Sequence, residues 1–424
     1  MSESGPKPLA KSQLEQSPSA DPRQQVTPRG RWLVTPILLL AVMIAFFDRI
    51  NIAVLFGDEE FRSAIGTSDP AMMGALMTAF IVPYGLSILL FSFSGDFFGP
   101  KKTLTAIAAI LAATMALMGM VSTYALMFVG RIVLGLAEGP QFGAANSTVK
   151  NWFPPHEQGR ANSFWTIGAP LGSAIGFPLV IFLNAQFGWR ASFFVLAALN
   201  ALIVVPLVWY FLKDRPEQSV TATEVTESSV SFAETMRALI VDWRMWLITA
   251  FNCGAMIFLW GFSSWLPTYL RVARQLDLPA TGFYSFLPFA LMLLGMLIGA
   301  WLGDKTGRRA IICGVGLFGA GVFIYFASVA PDANMAAWCL ALAAFSWGAT
   351  VPTLFAIGMQ IIPTRITATG FGVYAGIANL VGAWSPLIMG VLIGSAGNYT
   401  AGLLFLVCAC TLCSLVMIPL MRKY

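Results

Sequence analysis

Charge is what this 424-residue chain has least of. Asp, Glu, Lys and Arg make up 11 % of it, whereas a soluble domain carries about 25 %. So few charges cannot cover a 45.7 kDa globule in water, which excludes a soluble enzyme. Histidine occurs once, as His156 beside Pro154 and Pro155, where it reads as a solvated loop residue. The six cysteines (Cys253, Cys313, Cys339, Cys408, Cys410 and Cys413) all fall in apolar segments, so no disulfide framework is implied. The run Cys408-x-Cys410-x-x-Cys413 has no His or carboxylate nearby and reads as helix packing rather than a metal site. No nucleophile–base constellation, metal set or phosphate-binding loop is present. Short alternating segments, the mark of a membrane β-barrel, are also missing.

What the chain has is apolar length. Hydrophobic residues make up 57 % of it, and the mean hydropathy is +0.75. Runs lie near 32–56, 71–94, 103–123, 125–149, 160–183 and 190–212. After a charged stretch they resume near 245–270, 280–302, 309–329, 335–361, 366–394 and 398–420. Each is long enough to cross the roughly 30 Å hydrocarbon core of a bilayer as a helix. The expected fold is an all-α membrane protein with twelve transmembrane helices in two six-helix bundles. It divides into a disordered polar tail (1–31), an N-terminal bundle (32–212), a linker with short amphipathic helices (213–244) and a C-terminal bundle (245–424).

Basic residues fall on alternate connections. One side collects Lys7, Lys11, Arg23, Arg29 and Arg31, then Lys101, Lys102, Lys150, Arg160, Lys213, Arg215, Arg237, Arg244, Lys305, Arg308, Arg309, Arg365, Arg422 and Lys423. The other has only Arg62, Arg190, Arg271 and Arg274. The positive-inside rule puts both termini and the linker in the cytoplasm. The halves also repeat. Gly95-Asp96-x-x-Gly99 recurs as Gly303-Asp304-x-x-Gly307, and Gly74/Gly282, Gly168/Gly376 and Pro178/Pro386 keep the same offset. Duplicated halves are a transporter architecture with a binding site near the midplane between them.

The chain resembles a major facilitator superfamily transporter over residues 32–424. Gly95-Asp96-Phe97-Phe98-Gly99-Pro100-Lys101-Lys102 is similar to that superfamily's cytoplasmic loop motif, though Phe97 and Pro100 stand where Arg is usual. Asp304-Lys305-Thr306-Gly307-Arg308-Arg309 is a closer copy, and Arg131-Ile132-Val133-Leu134-Gly135 with Glu138-Gly139 resembles the proton-relay motif of helix 4. Phe47-Asp48-Arg49-Ile50-Asn51, with Trp265-Leu266-Pro267-Thr268-Tyr269, resembles the anion:cation symporter family, which includes proton-coupled sugar-acid carriers. The resemblance implies that Arg49 binds a substrate carboxylate and that Asp48 and Glu138 take up protons. It also implies a bacterial inner membrane.

Asp48, Arg49, Arg131 and Glu138 lie well inside apolar segments. Each such charge costs about 2.5–3.5 kcal/mol on the insertion scale, so all four must face the bundle interior. Arg131 and Glu138 share one face of helix 4 about 10 Å apart. Asp48 and Arg49 point about 100° apart, so Asp48 is expected to turn toward the helix 4 pair and Arg49 toward the cavity. Two acids and two arginines sum to zero, so an added anion favours protonation of Asp48 or Glu138, the thermodynamic core of symport. A structural salt-bridge cluster is the alternative.

Arg49 offers a planar fork to a carboxylate. Tyr84 and Gln141 in the first half, with Asn252, Trp260, Asn379 and Ser385 in the second, are candidates for substrate hydroxyls; interhelical hydrogen bonding, or an interfacial place for Tyr84, is the alternative. Asn51 reads as packing between helices. Asp96, Lys101, Asp304 and Arg308 read as gating residues at the cytoplasmic helix ends, with simple topology signals as the alternative.

The functional expectation is a proton-coupled importer of a small organic anion such as a sugar acid (galactonate, glucarate or a hexuronate), working by alternating access. An anion exchanger or a sodium-coupled carboxylate carrier is the runner-up, followed by a drug exporter or a transporter-like sensor. No cofactor beyond the coupling ion, no nucleic acid and no partner other than the lipid bilayer and the substrate are expected, and the architecture works as a monomer.

Overall fold

A computed structural model describes residues 30–91, 94–215, 241–362 and 367–422; the side chains of Asp96, Pro155 and residues 367–369 lie outside that description. Most of the tail and of the linker, including its expected amphipathic helices, is likewise outside. The described residues form helices and connecting turns, without a strand.

Among the described residues eleven apolar helical spans are long enough to cross a bilayer, three of them with a turn of one or two residues at Ile167, Ala349 or Ala383-Trp384. They are α1 (Arg31–Leu55), α2 (Pro70–Phe91), α3 (Pro100–Met120), α5 (His156–Phe187), α6 (Trp189–Phe211) and α7 (Trp243–Ala273). Next come α8 (Leu278–Thr306), α9 (Arg309–Val329), α10 (Ala333–Ile361), α11 (Gly370–Ala396) and α12 (Thr400–Leu420). The twelfth span, α4, is broken into Tyr124–Glu138 and Gln141–Trp152. Gly139-Pro140 interrupts it, since proline removes a backbone donor and crowds the preceding turn. The expectation of twelve spans holds, with the break falling immediately after Glu138.

Aspartates start several helices. Asp242, Asp277 and Asp332 accept backbone N–H groups from Arg244 (2.9 Å), Ala280 (2.9 Å) and Met335 (2.7 Å), filling donors that a helix start leaves open. Alternate spans run in opposite directions, so one face of the bundle carries most Lys and Arg, and is called the basic face below.

The sixfold sets pack alike. In the first set α1 lies on α5, α2 on α4 and α3 on α6; in the second, α7 lies on α11, α8 on α10 and α9 on α12. The seam between the sets is made by α2 against α11, α5 against α8 and α1 against α7. The repeated residues meet one another there. Gly74 of α2 lies against the backbone of Pro386 on α11, so close that a Cβ would collide with the Pro386 carbonyl oxygen. Their counterparts at the same sequence offset, Gly282 of α8 and Pro178 of α5, also face each other, with 3.7 Å between a Gly282 Cβ and Pro178. The seam is therefore pseudo-symmetric, as duplication of one six-helix unit requires.

Away from the basic face the seam is closed by side chains. Thr78 donates to the Ala383 carbonyl at 2.8 Å, Phe177 stacks on Phe289 at 5.3 Å, and Arg271 lies 3.8 Å from Asp58. Asp58 also accepts from Phe61 N (2.8 Å) and from Asn184 Nδ2 (3.0 Å), so three elements converge on one carboxylate.

Candidate functional site

The four interior charges lie where α1, α2, α4 and α6 of the first set pack on one another, and Arg49 reaches the seam, 5.3 Å from the Trp260 ring of α7. All four are buried, none more than 3 % exposed. Gly135 makes this possible on α4: its Cα sits so close to the Phe80 carbonyl that a side chain would not fit, which brings α4 hard against α2.

The partners differ from the expectation drawn from helix geometry. Arg49, expected to face the cavity alone, forms an ion pair with Glu138. Asp48, expected to turn toward α4, instead accepts a 2.7 Å hydrogen bond from Asn200 Nδ2 on α6. Arg131 makes no ion pair with Glu138. Its guanidinium donates to the backbone carbonyls of Leu76 (3.2 Å), Asp48 (3.5 Å) and Arg49 (3.5 Å) and lies 3.3 Å from Met77 Sδ.

The reason is side-chain direction. Helix side chains lean toward the N-terminus of their own helix. α1 begins at the basic face and α4 begins at the opposite one. Arg49 therefore leans toward the basic face, where Glu138 lies, whereas Arg131 leans the other way onto the start of α2 and the Asp48 and Arg49 carbonyls of α1. Spacing along one helix placed Arg131 and Glu138 on a shared face but said nothing about these opposite leans.

Aromatic rings enclose the Arg49 guanidinium. Its Cζ lies 4.1 Å from the ring centroid of Phe46, 4.5 Å from Tyr84, and 5.3 Å from both Phe80 and Trp260. Trp260 comes from α7, so the second half caps the charge supplied by the first. Its indole N–H donates to Asn379 Oδ1 at 3.1 Å, and Asn379 Nδ2 donates to the Ala375 carbonyl at 2.9 Å. The structure thus brings Arg49, Glu138, Tyr84, Trp260 and Asn379 together.

Other candidates stand apart. Gln141 Nε2 donates to the Ala41 carbonyl at 3.2 Å and Ser385 Oγ to the Ile257 carbonyl at 2.9 Å; both make the interhelical bonds held as the alternative. Asn252 is buried on α7, about 12 Å of helix rise from Trp260 and outside the ring cluster. Asn51 is fully buried, and neither atom of its side-chain amide has a hydrogen-bond partner in the protein.

Among the described residues, the gating candidates Lys101, Asp304 and Arg308 make contacts that do not cross the seam. Lys101 places Nζ 4.8 Å from the Trp209 ring of its own half and its backbone N–H on Asp214, at the start of the linker, at 2.8 Å. Asp304 accepts from Arg309 at 3.2 Å. Arg308 is exposed, and its backbone N–H reaches Thr306 Oγ1 at 3.3 Å. The Asp96 side chain is outside the described residues.

Three residues at the site were not expected. Asn200 had a signal, a lone amide inside the apolar run 190–212. Phe46 and Phe80 had none, because a phenylalanine in an apolar helix is ordinary. Asn200 also opens a π-helical turn, Asn200–Val204, a local widening common at functional positions.

The chain is similar to named proteins over most of its length. The Cupriavidus necator protein named "Probable sulfoacetate transporter SauU" is 31 % identical over 388 residues, covering 88 % of this chain and 89 % of the relative. The Bacillus subtilis "Hexuronate transporter" is 26 % identical and covers 87 % and 89 %. The Escherichia coli "Probable L-galactonate transporter" is 25 % identical and covers 94 % and 92 %. Among solved structures, a bacterial homolog of the human lysosomal transporter Spinster superposes with a TM-score of 0.80 at 17 % identity, covering 92 % of this chain and 97 % of that one. The D-xylose-proton symporter gives 0.73 at 12 % identity, with 91 % and 96 % covered. These last two show a shared fold. The family model of the Major Facilitator Superfamily matches residues 38–386, and with twelve spans in two like halves around a buried charge cluster, this chain is an integral membrane protein belonging to that superfamily.

Proposed function

We propose that this chain carries a small organic anion through the membrane by alternating access, and that it imports the anion together with protons. The observation that carries the reading is the Arg49–Glu138 ion pair, buried beside the seam between the two halves. Arginine is the side chain best suited to hold a carboxylate or sulfonate, and here its counter-ion is an acid that can be neutralised. An anion arriving at Arg49 competes with Glu138, and the displaced carboxylate is left buried and unpaired. Taking up a proton relieves that cost. Asp48 adds a second acid in the same charge-balanced group. Anion and proton therefore favour each other's binding, and linkage makes the effect reciprocal. The names of the relatives, transporters of sulfoacetate, hexuronate and galactonate, agree with an organic anion.

The two bundles, 32–212 and 245–424, rock about the site, joined by the linker 213–244. Basic-residue asymmetry puts the basic face in the cytoplasm, in a bacterial inner membrane, and a single copy suffices. Lys101, Asp304 and Arg308, with Asp96, then engage across the seam when the cytoplasmic side closes. Tyr84 and Trp260 contact the anion beside Arg49.

The test is internal acidification of proteoliposomes holding a pH dye, on addition of sulfoacetate, D-galactonate, a hexuronate or benzoate. Acidification that requires the protein and is lost in Arg49→Ala supports the reading. Uptake of labelled anion that requires sodium and moves no proton would overturn the proton coupling. No uptake of any member would overturn the substrate class.

A further inference from the structure

The anchor's surroundings say what kind of anion body it accepts. Trp260 is held by a relay: the Ala375 carbonyl accepts from Asn379 Nδ2 at 2.9 Å, and Asn379 Oδ1 accepts the indole N–H at 3.1 Å. With its single donor committed, Trp260 offers only its ring to the anchor, 5.3 Å from Arg49 Cζ. It also meets Tyr84 edge to face, with centroids 6.4 Å apart and planes at 72°. Tyr84 and Phe46 lie with their rings at 4.5 and 4.1 Å from the same guanidinium. An anion whose charged group meets Arg49 must leave its body against these rings.

A sugar acid brings a hydroxyl on nearly every carbon, and each hydroxyl desolvated without a partner costs binding energy. The candidate amide inside the ring cluster is engaged with the protein. Asn379 spends its carbonyl on Trp260 and an amide hydrogen on Ala375. Aromatic faces instead reward flat or apolar groups with packing beyond simple burial.

We propose that the Trp260–Asn379 pair is a specificity determinant that selects compact, hydroxyl-poor organic anions, with a flat or apolar body, over polyhydroxylated sugar acids. Asn379 acts through Trp260, as a positioning residue. The proposal rests on the reading of the chain as an anion carrier anchored by Arg49.

Isothermal titration of the purified full-length protein with benzoate and with D-galactonate tests it. Both carry one carboxylate, so they differ only in the body. Benzoate is expected to bind at least about ten-fold more tightly, a factor within reach of one aromatic contact. Trp260→Ala should shrink that ratio to about three-fold or less, and Trp260→Phe should keep it, since the ring and not the indole N–H makes the contact. Should Trp260→Ala fail to fold, Asn379→Leu, which frees the indole, should shrink the ratio in the same direction. D-Galactonate binding as tightly as benzoate in the wild type, or a ratio unmoved by a folded Trp260→Ala, would overturn the proposal while an Arg49-dependent signal left the anion reading standing. Absence of heat with both anions, or heat that survives Arg49→Ala, would overturn the anion reading and this proposal with it.

Discussion

Replacing Arg49 alone should be far more damaging than replacing Arg49 and Glu138 together. The two side chains are 4 % and 1 % exposed, so whichever partner remains is left out of reach of water, Arg49 as a charge and Glu138 as a charge or an acid forced to take up a proton. Glu138 Oε2 and Arg49 Nε have no hydrogen-bond partner in the protein. Breaking one partner of such a buried pair costs about 3–5 kcal/mol, whereas replacing both by apolar residues of similar size is often close to neutral. Arg49→Met should therefore lose about 3–5 kcal/mol, and Arg49→Met with Glu138→Met should regain about 2–3 kcal/mol of it. Unfolding in mixed micelles, followed by tryptophan fluorescence, measures each corner of the cycle. A double variant no more stable than Arg49→Met would refute the pairing, as would single losses that simply add.

Three further outcomes are expected from particular contacts. Arg131→Lys should lose about 1–3 kcal/mol in the same unfolding assay, because one ammonium cannot span the Leu76, Asp48 and Arg49 carbonyls that the planar fork reaches; wild-type stability would contradict that bracing role. Asn200→Leu should cost about 1–3 kcal/mol by removing the donor to Asp48, and much less in an Asp48→Asn background; equal costs in both backgrounds would show that the 2.7 Å bond is not what Asn200 supplies. Gly74→Val should force α2 off Pro386 and open the seam at the face opposite the basic one, so a cysteine introduced beside Asp58 should label with a membrane-impermeant maleimide several times faster than in the parent; unchanged labelling would mean that the close approach does not hold that face shut.

Much of this architecture is legible in the residues, because a bilayer leaves backbone polar groups few choices. Eleven of the apolar runs became spans long enough to cross the bilayer, three of them with a short turn inside. The twelfth is broken at Gly139-Pro140, as α11 is at Ala383-Trp384. The internal repeat carried more than topology: Gly74, Gly282, Pro178 and Pro386 share one offset, and the structure shows that they are contact partners across the seam. The burial of Asp48, Arg49, Arg131 and Glu138 was equally legible, since no other place in an apolar helix is tolerable for a charge.

Partner choice was not legible. It depends on the direction in which each helix runs and on the lean of long side chains toward the helix start. Those leans join Arg49 to Glu138 and send Arg131 onto backbone carbonyls. Asn200 was missed because its partner lies 152 positions away, and no local pattern connects residues on α1 and α6. The neutral candidates divided for a similar reason. Whether an amide such as Gln141 or Asn379 faces a ligand or a neighbouring carbonyl is decided by packing that a single sequence does not reveal.

Proton uptake on anion binding tests the central claim most directly. Purified protein in lightly buffered detergent solution, mixed with a bound anion in the presence of a pH indicator, should absorb about one proton per anion bound, because the two ligands are thermodynamically linked. Glu138→Gln should still bind the anion through Arg49 while absorbing markedly less, and Glu138→Gln with Asp48→Asn should absorb none. Anion binding with no proton taken up by the wild type, or with undiminished uptake in the double variant, would contradict the account.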